Sequence, residues 1–172
     1  MLTILRLNHR KKRDKRITTH CALVARAFGA DKFVYTGDED KAFEKGVKAV
    51  VGQWGGNFSV KYKKNAKKFL KEQNKKTIVN LTMYGLPIQN EINKIRKNKG
   101  LTIIIGGAKV PMDFYRLSHY NISITSQPHS EVMALGLFLD RYFAGRELVK
   151  RFKNAKIRII PHSCGKLVKK GL

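Results

Sequence analysis

Three short segments gather the small and polar residues that could hold a ligand. They are Leu81-Thr82-Met83-Tyr84-Gly85, Gly106-Gly107-Ala108-Lys109-Val110-Pro111, and Thr125-Ser126-Gln127-Pro128-His129-Ser130-Glu131 running into Val132. Each follows a short β-rich run, and ligands bind at strand ends in parallel sheets. The Gly106-Gly107 pair allows close approach of backbone to a ligand, and Ser130 or Glu131 could line a helix N-terminus. Glycine and proline also punctuate ordinary strand–helix loops, so on the residues alone these segments describe a small-molecule pocket beside a basic surface and nothing narrower. The basic surface begins at Arg10-Lys11-Lys12-Arg13-Asp14-Lys15-Arg16, a run without apolar periodicity that reads as a loop. Its Arg10, Arg13, Lys15 and Arg16 are the candidate nucleic-acid contacts.

Several chemistries have no residues to carry them. The first strand runs into Asn8-His9-Arg10 without glycine, so the dinucleotide turn GxGxxG is missing, as is the glycine-rich turn of Rossmann-type methyltransferases. No GxxxxGK[ST] phosphate loop occurs. The tightest acidic group, Asp38-Glu39-Asp40 with Glu44, sits at a helix start, where capping explains it without a two-metal site. His9, His20, His119, His129 and His162 lack ligand spacing, and Cys21 and Cys164 make no CxxC. No metal is expected, and both cysteines are expected to be free thiols.

The elements that would position these loops alternate between short β-rich runs and runs of helical period. Leu2 to Leu7, Phe33 to Tyr35, Phe58 to Tyr62, Thr77 to Leu81, Leu101 to Ile105, Ile122 to Ile124 and Lys156 to Ile160 read as strands. Thr18 to Phe28 reads as a helix with Cys21, Val24, Ala25 and Phe28 on one stripe and Arg26 roughly opposite. Asp38 can cap a helix carrying Phe43, Val47, Val50 and Trp54, ended by Gly55-Gly56. A lysine-rich helix follows Tyr62. Pro87 can open one with Ile88, Ile92 and Ile95 inward, and a last helix carries Val132, Leu135, Leu139 and Phe143 on one face. Strands separated by helices make βαβ units, hence an α/β domain whose mostly parallel sheet has helices on both faces. Residues 1–145 form that domain and 146–172 a C-terminal extension.

With 36 Lys and Arg against 12 Asp and Glu, 172 residues carry a net charge of +24, which repels itself unless a polyanion gains from it. The stretch from Lys61 to Lys76 holds eight lysines and one acid. Its meagre apolar face argues against a membrane partner and favours nucleic acid. Met1-Leu2-Thr3-Ile4-Leu5-Arg6 lacks the order of a signal peptide, and no apolar run is long enough to span a bilayer, so a cytoplasmic protein is expected.

The three loops, in this order, resemble the cofactor motifs of the SPOUT (SpoU–TrmD) methyltransferases. Members of that superfamily bind S-adenosylmethionine in a C-terminal trefoil knot. His20 and Arg26, followed by Phe28-Gly29, have the spacing at which many SpoU-type enzymes carry an asparagine and a catalytic arginine. His9-Arg10, the stretch Arg13 to His20, Leu81 to Gly85 and Gln127 to Val132 are similar to one branch in particular. Its archaeal enzymes 2'-O-methylate the T-loop cytidine at tRNA position 56. Cys164 departs from the basic residue expected there in the tail. The resemblance implies a knotted fold and S-adenosylmethionine as methyl donor. It implies tRNA as partner, Arg26 as catalytic residue, and a homodimer that joins Arg26 of one subunit to the loops of the other. A free guanidinium keeps its proton and cannot serve as a base, so Arg26 either binds the phosphate beside the target ribose, the role expected for it, or is made basic by an unusual site; the base stays open, with His20 as one candidate. Two other functions remain open at this point, methylation of a base or of ribosomal RNA, and RNA binding without catalysis.

Overall fold

The computed structural model describes residues 1–73, 75–107 and 109–171; the expectation for Ala108 lies outside them. Six strands, β1 (Leu2–His9), β2 (Lys32–Gly37), β3 (Ser59–Tyr62), β4 (Thr77–Pro87), β5 (Leu101–Gly106) and β6 (Tyr120–Ser123), pair in parallel throughout, in the order β3-β2-β1-β5-β4-β6. The central strands β1 and β5 are buried at nearly every position, the mark of strands covered on both sides, although β1 carries Thr3, Arg6 and His9 into the interior. Alternate residues feed two apolar clusters. Ile4, Phe33, Val79 and Ile103 join one with Cys21, Phe43, Ile92 and Leu135. Leu5, Val34, Ile78 and Ile104 join the other with Phe69, Leu70 and Phe114.

Helix α1 (Lys15–Ala27) begins earlier than the apolar pattern implies, because the Thr18 N–H already bonds the Asp14 carbonyl and so draws Lys15 and Arg16 out of the expected loop. Its buried line is Thr18, Cys21, Ala22, Ala25 and Arg26. Small residues prevail there because α1 packs closely along α6 (Glu131–Phe143), where Val24 approaches Gly136. Helix α2 (Lys41–Trp54) is capped by Asp40, not Asp38: the Asp40 carboxylate accepts from Phe43 N–H at 3.0 Å. Only Phe43 and Val47 of its expected stripe are fully buried. The lysine-rich run yields the short helix α3 (Ala66–Lys71), and α4 (Ile88–Arg96) buries Ile88, Ile92 and Ile95 as expected. A six-residue helix, α5 (Met112–Leu117), stands where the sequence pattern shows none. On α6 the buried face is Ala134, Leu135, Phe138 and Leu139, rotated from the expected Val132-Leu135-Leu139-Phe143, while Met133 and Leu137 stay 41% and 36% exposed.

The segment from Arg146 continues through a 3₁₀ turn into an antiparallel hairpin, β7 (Ile157–Ile160) with β8 (Leu167–Lys170), whose second strand is an addition to the expected set. It is tied to the end of α2 by Gly56 N–H to Lys153 O and Lys156 N–H to Gln53 O. No helix among the described residues is long and apolar enough to cross a membrane.

The sheet has one irregularity at the end of β4. Leu81 and Leu86 both oppose Ile122 across the β4–β6 pairing, so Thr82 to Gly85 are looped out of the ladder. Gly85 makes the return possible: a Cβ there would lie 2.6 Å from the Asn121 backbone.

Candidate active site

The excursion from β4, the loop after β5 and the start of α6 converge on a cavity of about 320 Å³. Leu81, Thr82, Met83, Tyr84, Gly106, Gly107, Val110, His129, Ser130 and Glu131 line it, so all three expected loops contribute. Lys109, Pro111, Thr125, Ser126, Gln127, Pro128 and Val132 flank it without lining it. Ile17, Ile105, Tyr115 and Ala134 complete the wall. Thr82 Oγ1 and the Tyr115 hydroxyl share a hydrogen bond of 2.9 Å, and the Ser130 hydroxyl caps α6 by accepting from Val132 N–H at 3.2 Å. Ile17 and Tyr115 belong to elements whose approach only the tertiary fold determines, and no local signal marks them.

Beneath the cavity lies an ion pair that no motif in the sequence announces. Arg6, on β1 and 2% exposed in its side chain, brings Nε within 3.3 Å of Glu131 Oε2, itself on a side chain 17% exposed. Arg6 Nε and Nη1 and Glu131 Oε2 have no hydrogen-bond partner among the described residues. Burial pushes the Glu131 carboxyl above its ordinary value, and Arg6 pulls it back. Burial, with the Glu131 charge, also drives the Cys21 thiol beside Arg6 up to about 12. Cys21 and Cys164 are both free. Further along β1, buried His9 contacts Thr18 Oγ1 at 2.8 Å and Asp40 at 3.6 Å. Burial, and then Arg6, lower its pKa despite Asp40, which keeps the imidazole neutral.

Arg26 lies elsewhere. It is 7% exposed, not on an open face of α1 as the sequence pattern implies. Nη2 donates to Gly55 O at 2.7 Å, and the guanidinium sits 4.7 Å over the Phe152 ring. Burial lowers its pKa. Nine residues of helix, about 13 Å, separate it from Ile17 at the cavity wall, and Arg26 is not among the residues that line the cavity. His20 is exposed on α1. Arg10, Arg13, Lys15 and Arg16 are exposed around the β1–α1 turn, close in sequence to Ile17. Arg10 is anchored there by Asp14 at 2.9 Å, and that hydrogen bond holds the Asp14 carboxyl below its ordinary value. Among the described residues no group of three His, Cys, Asp or Glu could hold a metal ion.

The same α/β architecture with a parallel sheet occurs in SpoU-type RNA methyltransferases of known structure. The A. aeolicus TrmH/SpoU tRNA modifying enzyme is 15% identical with a TM-score of 0.61, over 86% of this chain and 76% of that one. The SpoU methyltransferase AviRb from Streptomyces viridochromogenes, in complex with AdoMet, is 13% identical with a TM-score of 0.60, over 84% and 59%. At such identities the likeness is one of fold. Sequence narrows it further. The family described as tRNA ribose 2'-O-methyltransferase, aTrm56, matches residues 54–169. The tRNA (cytidine(56)-2'-O)-methyltransferases of Methanocaldococcus jannaschii and Thermococcus kodakarensis are 49% and 47% identical, each over 98% of this chain and 96% of the relative. That of Picrophilus torridus is 52% identical over 98% of this chain, which spans about half (49%) of that relative's length. The chain belongs to the tRNA ribose 2'-O-methyltransferase family.

Proposed function

We propose that this protein transfers a methyl group from S-adenosylmethionine to a ribose 2'-oxygen of tRNA, at the T-loop cytidine of position 56, and that it works in the cytoplasm as a homodimer. The observation that carries the reading is the near full-length match to relatives named for that reaction. The cavity fits the methyl donor. Its volume lies at the low end of small-ligand pockets, its walls are apolar at Leu81, Met83, Ile105 and Ala134, and a few polar groups converge on it. Bound there, S-adenosylmethionine supplies a methyl on a positively charged sulfur, ready for in-line displacement. The chain's own task is to hold the hydroxyl in line behind that methyl, exclude water and accept one proton.

The exposed arginines and lysines from Arg10 to Arg16 grip the tRNA backbone next to the cavity. Arg26 orients the phosphate beside the target ribose and is contributed by the second subunit, since it does not reach the loops of its own. Its Nε is buried without a hydrogen-bond partner among the described residues, so meeting a phosphate requires the side chain to turn out from Gly55 and Phe152. His20 stands as the candidate base. Exposed Met133 and Leu137 on α6 supply apolar surface for the dimer contact. We further infer that helices cover both sheet faces and that the loops from Leu81 to Val132 are threaded as a trefoil knot. Residues 1–145 make the methyltransferase domain and 146–172 its extension.

The test is incubation of tRNA transcript with the protein and S-adenosylmethionine, followed by mass mapping of nuclease fragments. One 2'-O-methyl at the T-loop cytidine is expected. A methyl on a base or another nucleotide would replace the substrate assignment. No product, together with no S-adenosylmethionine binding in calorimetry, would leave a basic RNA-binding protein without catalysis.

A further inference from the structure

We propose that Glu131, braced by Arg6, reads the charge on the methyl donor's sulfur and so discriminates the cationic substrate from its neutral thioether product. The inference rests on the methyltransferase function proposed for this cavity. Among the described residues that line the cavity, Glu131 is the only carboxylate, and none is a lysine or arginine. In a chain of net charge +24, a lone carboxylate in an apolar pocket is the feature there that attracts a cation. Apolar walls strengthen that attraction by lowering the local dielectric.

A carboxylate so placed must stay ionised to do this, and burial alone works against it. Arg6 supplies the counter-charge from the core side. A fully buried arginine is costly unless paired, and Arg6 is aimed at Glu131 from the middle of the sheet. Oε2 is the buried oxygen that faces Arg6, and Oε1 lies toward Gly107 in the loop after β5, on the cavity lining. Methyl transfer turns the sulfonium into an uncharged thioether while the rest of the molecule, its ammonium and carboxylate included, is unchanged. A carboxylate beside the sulfur therefore holds the substrate and loses its main attraction once the methyl has gone. A carboxylate beside the ammonium would treat the two alike.

Calorimetric titration of the purified protein with S-adenosylmethionine and with S-adenosylhomocysteine separates these cases. The readout is the ratio of their dissociation constants in wild type, Glu131→Gln and Arg6→Met. Glu131→Gln is isosteric and should weaken the sulfonium ligand by about tenfold, with little change for the thioether, as expected for loss of one near charge in a partly screened site. Arg6→Met should reduce the same discrimination through a neutralised Glu131. If Arg6→Met does not fold in a thermal melt, Glu131→Gln alone decides. An unchanged ratio, or equal weakening of both ligands, overturns the proposal. Wild-type protein that binds neither ligand would instead overturn the methyltransferase reading.

Discussion

Arg26 carries two loads, and its substitution separates them. Its guanidinium satisfies the Gly55 carbonyl and packs on Phe152, so Arg26→Ala should destabilise the chain by about 1–3 kcal/mol through an orphaned carbonyl. In the proposed role it also orients the target phosphate, and misplacing a reacting group costs about 100-fold in rate or more. Arg26→Ala should thus lose methyl transfer at temperatures where circular dichroism shows it folded, and keep S-adenosylmethionine affinity within a few-fold. Arg26→Lys should be nearly as poor, because a point charge does not replace a planar fork. Full turnover in a folded Arg26→Ala protein would remove Arg26 from the mechanism. The sequence pattern is informative here only in part. It singles out a lone arginine among small residues, but α1 presents that side to α2 and the extension, which no helical period records. The cavity loops are easier to read, because Gly106-Gly107, Pro111 and Pro128 punctuate strand ends. Arg6 is hidden, since an arginine in a strand reads by default as a solvent-facing residue and only the position of Glu131 reveals a partner.

Elements transmit these placements through backbone, and two of them make testable cases. The looped-out stretch of β4 returns to β6 only because Gly85 has no side chain. Gly85→Ala forces an overpacked contact with Asn121, and should cost about 1–3 kcal/mol in denaturant unfolding together with a measurable loss of S-adenosylmethionine affinity, since Thr82 to Tyr84 form the cavity wall. A change below about 0.5 kcal/mol would mean the two strands simply part. The second case is the junction of β1 with α1 and α2, where His9 is buried. Its folded pKa lies below the ordinary 6.5 while the unfolded chain takes up its proton near that value, so stability is present above about pH 6.5 and is lost as pH falls through it. The thermal midpoint should fall between about pH 7.5 and about pH 5.5, and less steeply in His9→Gln. Glu131, raised by burial, acts in the opposite sense at lower pH. Parallel curves for variant and wild type in the upper window would clear His9 of the effect. Short elements are the least legible in the sequence. Helix α5 spans too few residues to display a period, and β8 is half lysine.

At the scale of the whole molecule the charge and the divided site demand explanation together. The +24 excess is compatible with a compact fold if tRNA phosphates meet it. Six or more such contacts imply roughly a thousandfold loss of tRNA affinity between about 50 and 200 mM salt. A flat dependence in filter binding would show the charge idle. The division of the site is the sharper case. Within one chain the loops build a cavity at the ends of β4, β5 and β6, whereas Arg26 lies near the far end of α1 against Gly55 and Phe152. In the proposed homodimer the partner supplies Arg26 to this cavity, and exposed Met133 and Leu137 on α6 are the apolar surface offered for the contact. Complementation tests this directly. Subunits carrying Arg26→Ala keep an intact cavity. Subunits carrying Gly107→Trp keep Arg26 but block the cavity at an exposed glycine, where a Cβ would meet, among the described residues, Glu131 at 3.7 Å. Each should be inactive alone. Mixed and allowed to exchange, differently tagged subunits should form hybrids in which one of two sites is whole, and activity should reappear in the doubly tagged fraction. Doubly tagged hybrids without activity would mean that Arg26 serves its own chain, and that the extension from Arg146 must move to bring it there.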